Sequence, residues 1–136
     1  MKPKILFLCT HNSARSQLAE GIMRHLAGDR FKVYSAGTVV TGVNPNVVKA
    51  LSEKGIEIKG QYSKHVDDLK AIEFDYIVTV CDRAKSACPA LPGKGQKIHW
   101  GLKDPGEVAG SEEEILNAFK ETRDLLFGLI KEEFEL

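Results

Sequence analysis

The sequence predicts an α/β fold: a single-domain, four-stranded, mostly parallel sheet with helices on both faces. Three observations lead there. Apolar runs of strand length, such as "KILFL" and "DYIVTV", alternate with segments whose apolar residues recur every three or four positions. Glycine, proline and asparagine punctuate each change of period. At 136 residues the chain has the length of one domain, residues 1–136, large enough to build a core without disulfide staples. Strands that alternate with helices form parallel crossover units, and such sheets gather their functional loops at the carboxyl ends of the strands.

The elements follow in order. "KILFL" reads as a buried strand, and Arg15 to Leu26 as a helix with Leu18, Ile22 and Leu26 four apart. "FKVYS" is a second strand, closed by Ala36 and Gly37. Asn44 caps a helix with Pro45 at its first position, Val47, Val48 and Leu51 on one face, and Gly55 at its end. Between 56 and 73 the pattern suggests a short extended piece and a helix near Val66 to Ile72. "DYIVTV" is β-branched and uninterrupted, the mark of a strand covered on both faces. "QKIHW" is a shorter strand. Ser111 and Glu114 form a capping box. Beyond them Ile115, Ala118, Phe119, Thr122, Leu126, Leu129 and Ile130 trace the inner face of an amphipathic helix.

Bulk composition narrows the function. Nineteen basic and nineteen acidic residues cancel, so the net charge recruits neither nucleic acid nor a membrane surface. Ile5 to Cys9 is too short an apolar stretch for a signal peptide, and no segment has the length of a membrane span. The expectation is a cytosolic protein whose thiols stay reduced, and a monomer. Its three cysteines include no C-x-x-C, which argues against a disulfide framework, and a zinc site with His99 is weakly supported by the spacing.

Three reactive residue types fall on the carboxyl edge of this sheet: Cys9 after the first strand, Cys81 after "DYIVTV", and Asp104 just past "IHWGL". The loop Cys9, Thr10, His11, Asn12, Ser13, Ala14, Arg15, Ser16 turns from strand into helix, so successive backbone N–H groups point inward. Such a nest, backed by the helix dipole, binds a tetrahedral oxyanion. The same amides stabilise a thiolate, so the Cys9 pKa is expected below the roughly 8.5 of a free thiol. Ser16 can donate to that sulfur, Arg15 supplies a planar two-pronged grip on the anion, and Asn12 can hold the tight turn. A nucleophile beneath a bound tetrahedral anion suits attack at phosphorus or arsenic. A nucleotide P-loop is excluded because G-K-[ST] is absent.

"FLCTHNSARSQLAEG" resembles the C-x2-N-x-x-R-S signature of the low-molecular-weight protein tyrosine phosphatase fold. With "YSAGT", "GVNP", "VTVCD" and "HWGLKDP", the likeness runs through nearly the whole chain and is greatest to the thioredoxin-coupled arsenate reductases. The resemblance implies Cys9 as nucleophile, Arg15 as anion ligand, Ser16 as thiolate stabiliser, Asn12 as loop organiser and Asp104 as general acid. No cofactor is expected. Ala14 departs from it, since many members carry a second cysteine there.

A phosphatase and a reductase share this loop. A tyrosine phosphatase needs an aromatic wall, placed in the family just after the Asp-Pro, and here "DPGEVAGS" has none. For a reductase the resemblance implies a thiol relay: Cys9 bonds arsenic, Cys81 attacks the Cys9 sulfur, and Cys88 attacks Cys81, leaving a Cys81–Cys88 disulfide for thioredoxin. If Asp82 to Ala87 is helical when reduced, the two cysteines stand about 10 Å apart along the axis, at about 1.5 Å per residue. A disulfide tolerates Cα atoms at most about 7 Å apart, so closing it would unwind residues 82 to 92. The expected partners are arsenate, or a phosphate-like oxyanion, and a thioredoxin-type reductant. The alternatives are a phosphatase acting through a phosphocysteine, and an oxyanion- or redox-sensing binding module.

Among the histidines, His11 lies in the anion loop, where it adds positive charge or faces solvent. His25 and His65 read as surface residues, and His99 as packing beside Trp100. Some relatives bind potassium through residues that match Asn12, Glu20 and Ser35. Their carboxylate partner falls at Lys64, where an ammonium repels or replaces the cation, so no metal site is expected.

Overall fold

The computed structural model describes residues 2–58, 60–80 and 95–136. Four strands, β1 (Lys4–Cys9), β2 (Lys32–Gly37), β3 (Tyr76–Thr79) and β4 (Gln96–His99), form one sheet in the order β2-β1-β3-β4. Every neighbouring pair is parallel. Among the described residues three α-helices accompany it: α1 (Arg15–Ala27), α2 (Pro45–Ser52) and α3 (Glu112–Glu133). The fold is α/β, as the alternating pattern predicts.

Strand β1 is central, and Ile5 to Cys9 are all buried, which is why this segment is apolar without alternation. Its register pairs Phe7 with Ser35 and Val78, and Cys9 with Gly37. The chain leaves β1 for β2 on one side and later returns to β3 on the other. Such a reversal opens a crevice at the carboxyl end of the central strand, and Cys9 is that end.

The helices pack on one another. Helix α3 lies against both α1 and α2, burying Phe119, Leu126 and Ile130 completely. Each such side chain contributes about 1.5–3 kcal/mol relative to exposure. At the far end of the sheet Phe134 meets Phe31 and Tyr76 edge-on, at 5.6 and 5.3 Å between ring centroids. Across β1, Phe74 meets Tyr34 in the same manner at 5.4 Å.

The local signals behave as written. The Asn44 side chain accepts from the Asn46 amide ahead of Pro45, and Gly55 takes a left-handed φ of 73° after α2. Ser111 and Glu114 exchange both bonds of the capping box. The helix expected near Val66 to Ile72 is only a 3-10 helix, Val66–Leu69. Its bonds run i to i+3, from Asp68 N–H to the His65 carbonyl and from Lys70 N–H to Asp67. A single tight turn of this kind does not propagate. A second 3-10 turn, Pro105–Glu107, follows Asp104. Cys81, Cys88 and the segment expected to be helical between them lie outside the described residues.

Candidate active site

The turn from β1 into α1 is held from below by a chain of side-chain amides. Asn12 is fully buried at φ 50°, the left-handed region that asparagine tolerates better than most residues. Its Nδ2 donates to Ser16 Oγ at 2.8 Å, and its Oδ1 accepts from Gln17 Nε2 at 3.0 Å and from the Lys64 amide at 2.9 Å. Gln17 reaches on to the Asn12 and Tyr62 carbonyls, and Gln61 Nε2 donates to Gln17 Oε1 at 2.8 Å. The strand β2 supports the other side. Thr38 and Val39 both donate to the Thr10 carbonyl at 2.8 Å. Gly37 lies so close that a Cβ there would stand 2.7 Å from the Thr10 carbonyl oxygen and from the Asn12 amide nitrogen. Only glycine allows that approach.

Helix α1 begins without a side-chain cap. Ala14 precedes it, and its first turn holds no acidic residue. Its leading N–H groups therefore meet the neighbouring crevice with no competing side-chain acceptor at the cap position. A cavity of about 250 Å³ opens there, lined by Cys9, His11, Ser13, Ala14, Arg15, Thr41, Asn44, Asp104 and Gly106. Cys9 is 2% exposed at its floor. Asn44, already the cap of α2, also donates its amide to the Ser13 carbonyl at 3.0 Å, so the rim and the loop are one framework.

Arg15 is nearly buried and braced from the far side of the sheet. Its Nη1 donates to the Leu102 carbonyl at 2.9 Å, and Nη2 stands 3.5 Å from Asp104 Oδ2. Its Nε is buried and meets no acceptor among the described residues. Asp104 Oδ1 accepts from the Gly106 amide at 2.9 Å, which fixes the carboxyl and leaves Oδ2 toward the guanidinium.

Behind the loop lies a second charged group. Glu20, 1% exposed, accepts from Ser35 Oγ and pairs with Arg24 at 2.8 Å. The Lys64 ammonium donates to the Ser35 and Tyr62 carbonyls at 2.8 and 3.0 Å and stands 3.9 Å from Glu20. Burial pushes the Lys64 pKa below its usual 10.5; Glu20 opposes that shift and Arg24 adds to it. A fixed ammonium thus sits between two backbone carbonyls and a buried carboxylate.

Of the sequence-predicted residues, Cys9, His11, Ser13, Ala14 and Arg15 line the cavity together with Asp104, while Asn12 and Ser16 are fully buried and Thr10 does not line it. His99 is more than packing, since its Nδ1 lies 2.6 Å from Thr79 Oγ1. His65 Nδ1 accepts from the Asp67 amide, capping the first 3-10 turn. Gln17, Gln61, the Leu102 carbonyl and the backbone of Lys64 were not legible as parts of the site. The adjacency of Gln17 to "NSARS" is the one signal that pointed to any of them.

Residues 4–133 match the family described as low molecular weight phosphotyrosine protein phosphatase. The arsenate reductase of Halalkalibacterium halodurans is 45% identical over 130 residues, covering 96% of this chain and 94% of its own. That of Bacillus subtilis is 44% identical over 133 residues, covering 97% and 96%. Among solved structures, an arsenate reductase in the oxidized state superposes with a TM-score of 0.82 at 27% identity, covering 97% of this chain and 95% of its own. The thioredoxin-dependent arsenate reductase of Corynebacterium glutamicum gives 0.66 at 31%, over 97% of this chain and 63% of its own.

Proposed function

The chain belongs to the low molecular weight phosphotyrosine protein phosphatase family, and on that footing we propose that it reduces arsenate to arsenite. The observation that carries this reading is one cavity holding a buried thiol, an uncapped helix N-terminus and an arginine with an unused Nε. Relatives named arsenate reductase, matched over nearly their whole length, support it.

The amides of the loop and the start of α1 bind the arsenate oxygens, and Arg15 turns Nε and Nη2 to two of them. The same positive field holds Cys9 as a thiolate, with the Ser16 hydroxyl donating to the sulfur while Asn12 occupies its acceptor side. The Cys9 sulfur forms a bond to arsenic, and the displaced oxygen leaves as water with a proton from the Asp104 carboxyl. The Cys81 thiolate then attacks the Cys9 sulfur. The S–As bond breaks with its electron pair remaining on arsenic, which departs as arsenite, and a Cys9–Cys81 disulfide remains. Cys88 attacks Cys81, freeing Cys9 and forming Cys81–Cys88, which a thioredoxin-type dithiol reduces. The thioredoxin-dependent relative supports that donor. The reaction requires a compartment in which thiols are kept reduced, the cytoplasm, and a single protomer holds all the residues it uses.

The cavity favours this over hydrolysis of phosphotyrosine, because no phenylalanine, tyrosine or tryptophan lines it among the described residues. Arsenite release with thioredoxin, thioredoxin reductase and NADPH tests the reading, with aryl phosphate hydrolysis run in parallel. Cys88→Ala should complete one turnover and stop, and mass spectrometry should then find Cys9 joined to Cys81. Sustained turnover by Cys88→Ala would exclude the relay, and phosphate release without arsenite would favour the phosphatase.

A further inference from the structure

Two buried nitrogen atoms in the described residues have no hydrogen-bond partner, His11 Nδ1 and Arg15 Nε, and both residues line the same cavity above Cys9. Buried polar atoms are almost always partnered, so two orphans around one cavity indicate that its occupant supplies what they lack. For Arg15 Nε that need is an acceptor, since the guanidinium has no other chemistry. We propose that His11 Nδ1 donates a hydrogen bond to the bound oxyanion, so that this imidazole is a second side-chain ligand of the anion beside Arg15. The inference rests on the oxyanion reading above and adds a specificity residue to it.

Several observations bear on the imidazole. Residue 11 is the last before the left-handed turn at Asn12, and its carbonyl accepts from Ser63 Oγ at 3.1 Å, which holds the backbone beneath the ring. The ring is only half-buried as a whole, so although Nδ1 is shut off from water here, a turn of the imidazole about χ1 and χ2 brings it to an anion in the cavity. A neutral imidazole carries its proton on either nitrogen, and an anion in the cavity draws it to Nδ1. No protein acceptor competes for it there among the described residues. The loop amides cover the anion from the side of the helix. A donor from residue 11 extends that cover along the first half of the loop.

Asparagine and glutamine separate this role from mere bulk, because an asparagine amide reaches the place of Nδ1 while a glutamine amide reaches that of Nε2. Binding of inorganic phosphate to the reduced full-length chain is measured by calorimetry for wild type, His11→Leu, His11→Asn and His11→Gln. Loss of a hydrogen bond to an anion should weaken phosphate about tenfold or more in His11→Leu and His11→Gln, while His11→Asn stays within about threefold of wild type. Equal affinity in His11→Leu and wild type overturns the proposal while leaving the oxyanion site standing. So does rescue by glutamine equal to that by asparagine, a comparison that serves alone if the leucine variant does not fold. Absence of phosphate binding in wild type overturns the oxyanion reading, and His11 with it.

Discussion

Asn12 is the residue on which the loop's shape and the proposed thiolate of Cys9 both turn, and replacing it tests that coupling. In Asn12→Ala the Lys64 amide loses its acceptor at 2.9 Å, a cost of about 1–3 kcal/mol for a donor left without a partner. The buried Ser16 hydroxyl loses the bond at 2.8 Å, for about 1 kcal/mol more. Gln17 keeps the Asn12 and Tyr62 carbonyls and contributes little. Alanine also holds φ 50° less readily than asparagine, for about 1 kcal/mol. The total is about 4 kcal/mol, a large part of the stability of a domain this size. Asn12→Gly loses the same bonds without the steric penalty and should be about 1 kcal/mol better than alanine. Urea unfolding of the three proteins measures both differences. On the proposed mechanism the Ser16 hydroxyl, freed from Asn12, is no longer aimed at the sulfur, so alkylation of Cys9 should require higher pH in both variants. The pH dependence of alkylation, followed on the Cys9 peptide by mass spectrometry, reads that shift. Alanine as stable as glycine, or a Cys9 alkylation profile unchanged in either variant, would refute the reasoning.

Other outcomes follow from neighbouring contacts. Gly37→Ala drives a methyl against the backbone of Thr10 and Asn12 and should destabilise by about 1–3 kcal/mol, with arsenate turnover falling more than stability requires. Because the folded-state pKa of Lys64 is lowered, the unfolded chain binds more protons between that value and 10.5, and stability should rise with pH across this window. Lys64→Met should abolish the rise in a series of urea midpoints, and potassium should leave wild-type turnover unchanged. Glu53 is the opposite case. Its pKa is held below 4.5, first by its hydrogen bond with Lys120, so stability present above 4.5 is lost as pH falls through the lowered value. Lys120→Met should shrink that acid loss in thermal melts.

What sequence determined alone was whatever depends on near neighbours. The caps at Asn44 and Ser111 and the stop at Gly55 arise from interactions spanning a few residues, and the strand at "KILFL" and the residue spacing from Cys9 to Ser16 are written in consecutive residues, so all leave a readable period or spacing. The register of Val66 to Ile72 was less legible, because a single 3-10 turn has too few residues to show a period. Tertiary structure decided the rest. Only the order β2-β1-β3-β4 makes Cys9 the end of a central strand at a crevice. Only packing brings the Leu102 carbonyl to Arg15, 87 positions away, and the Lys64 amide to Asn12, 52 away. A carbonyl or amide belongs to every residue, so nothing in a residue's identity announces which one a distant side chain will find; that is set when the sheet closes and the backbone groups take their final places.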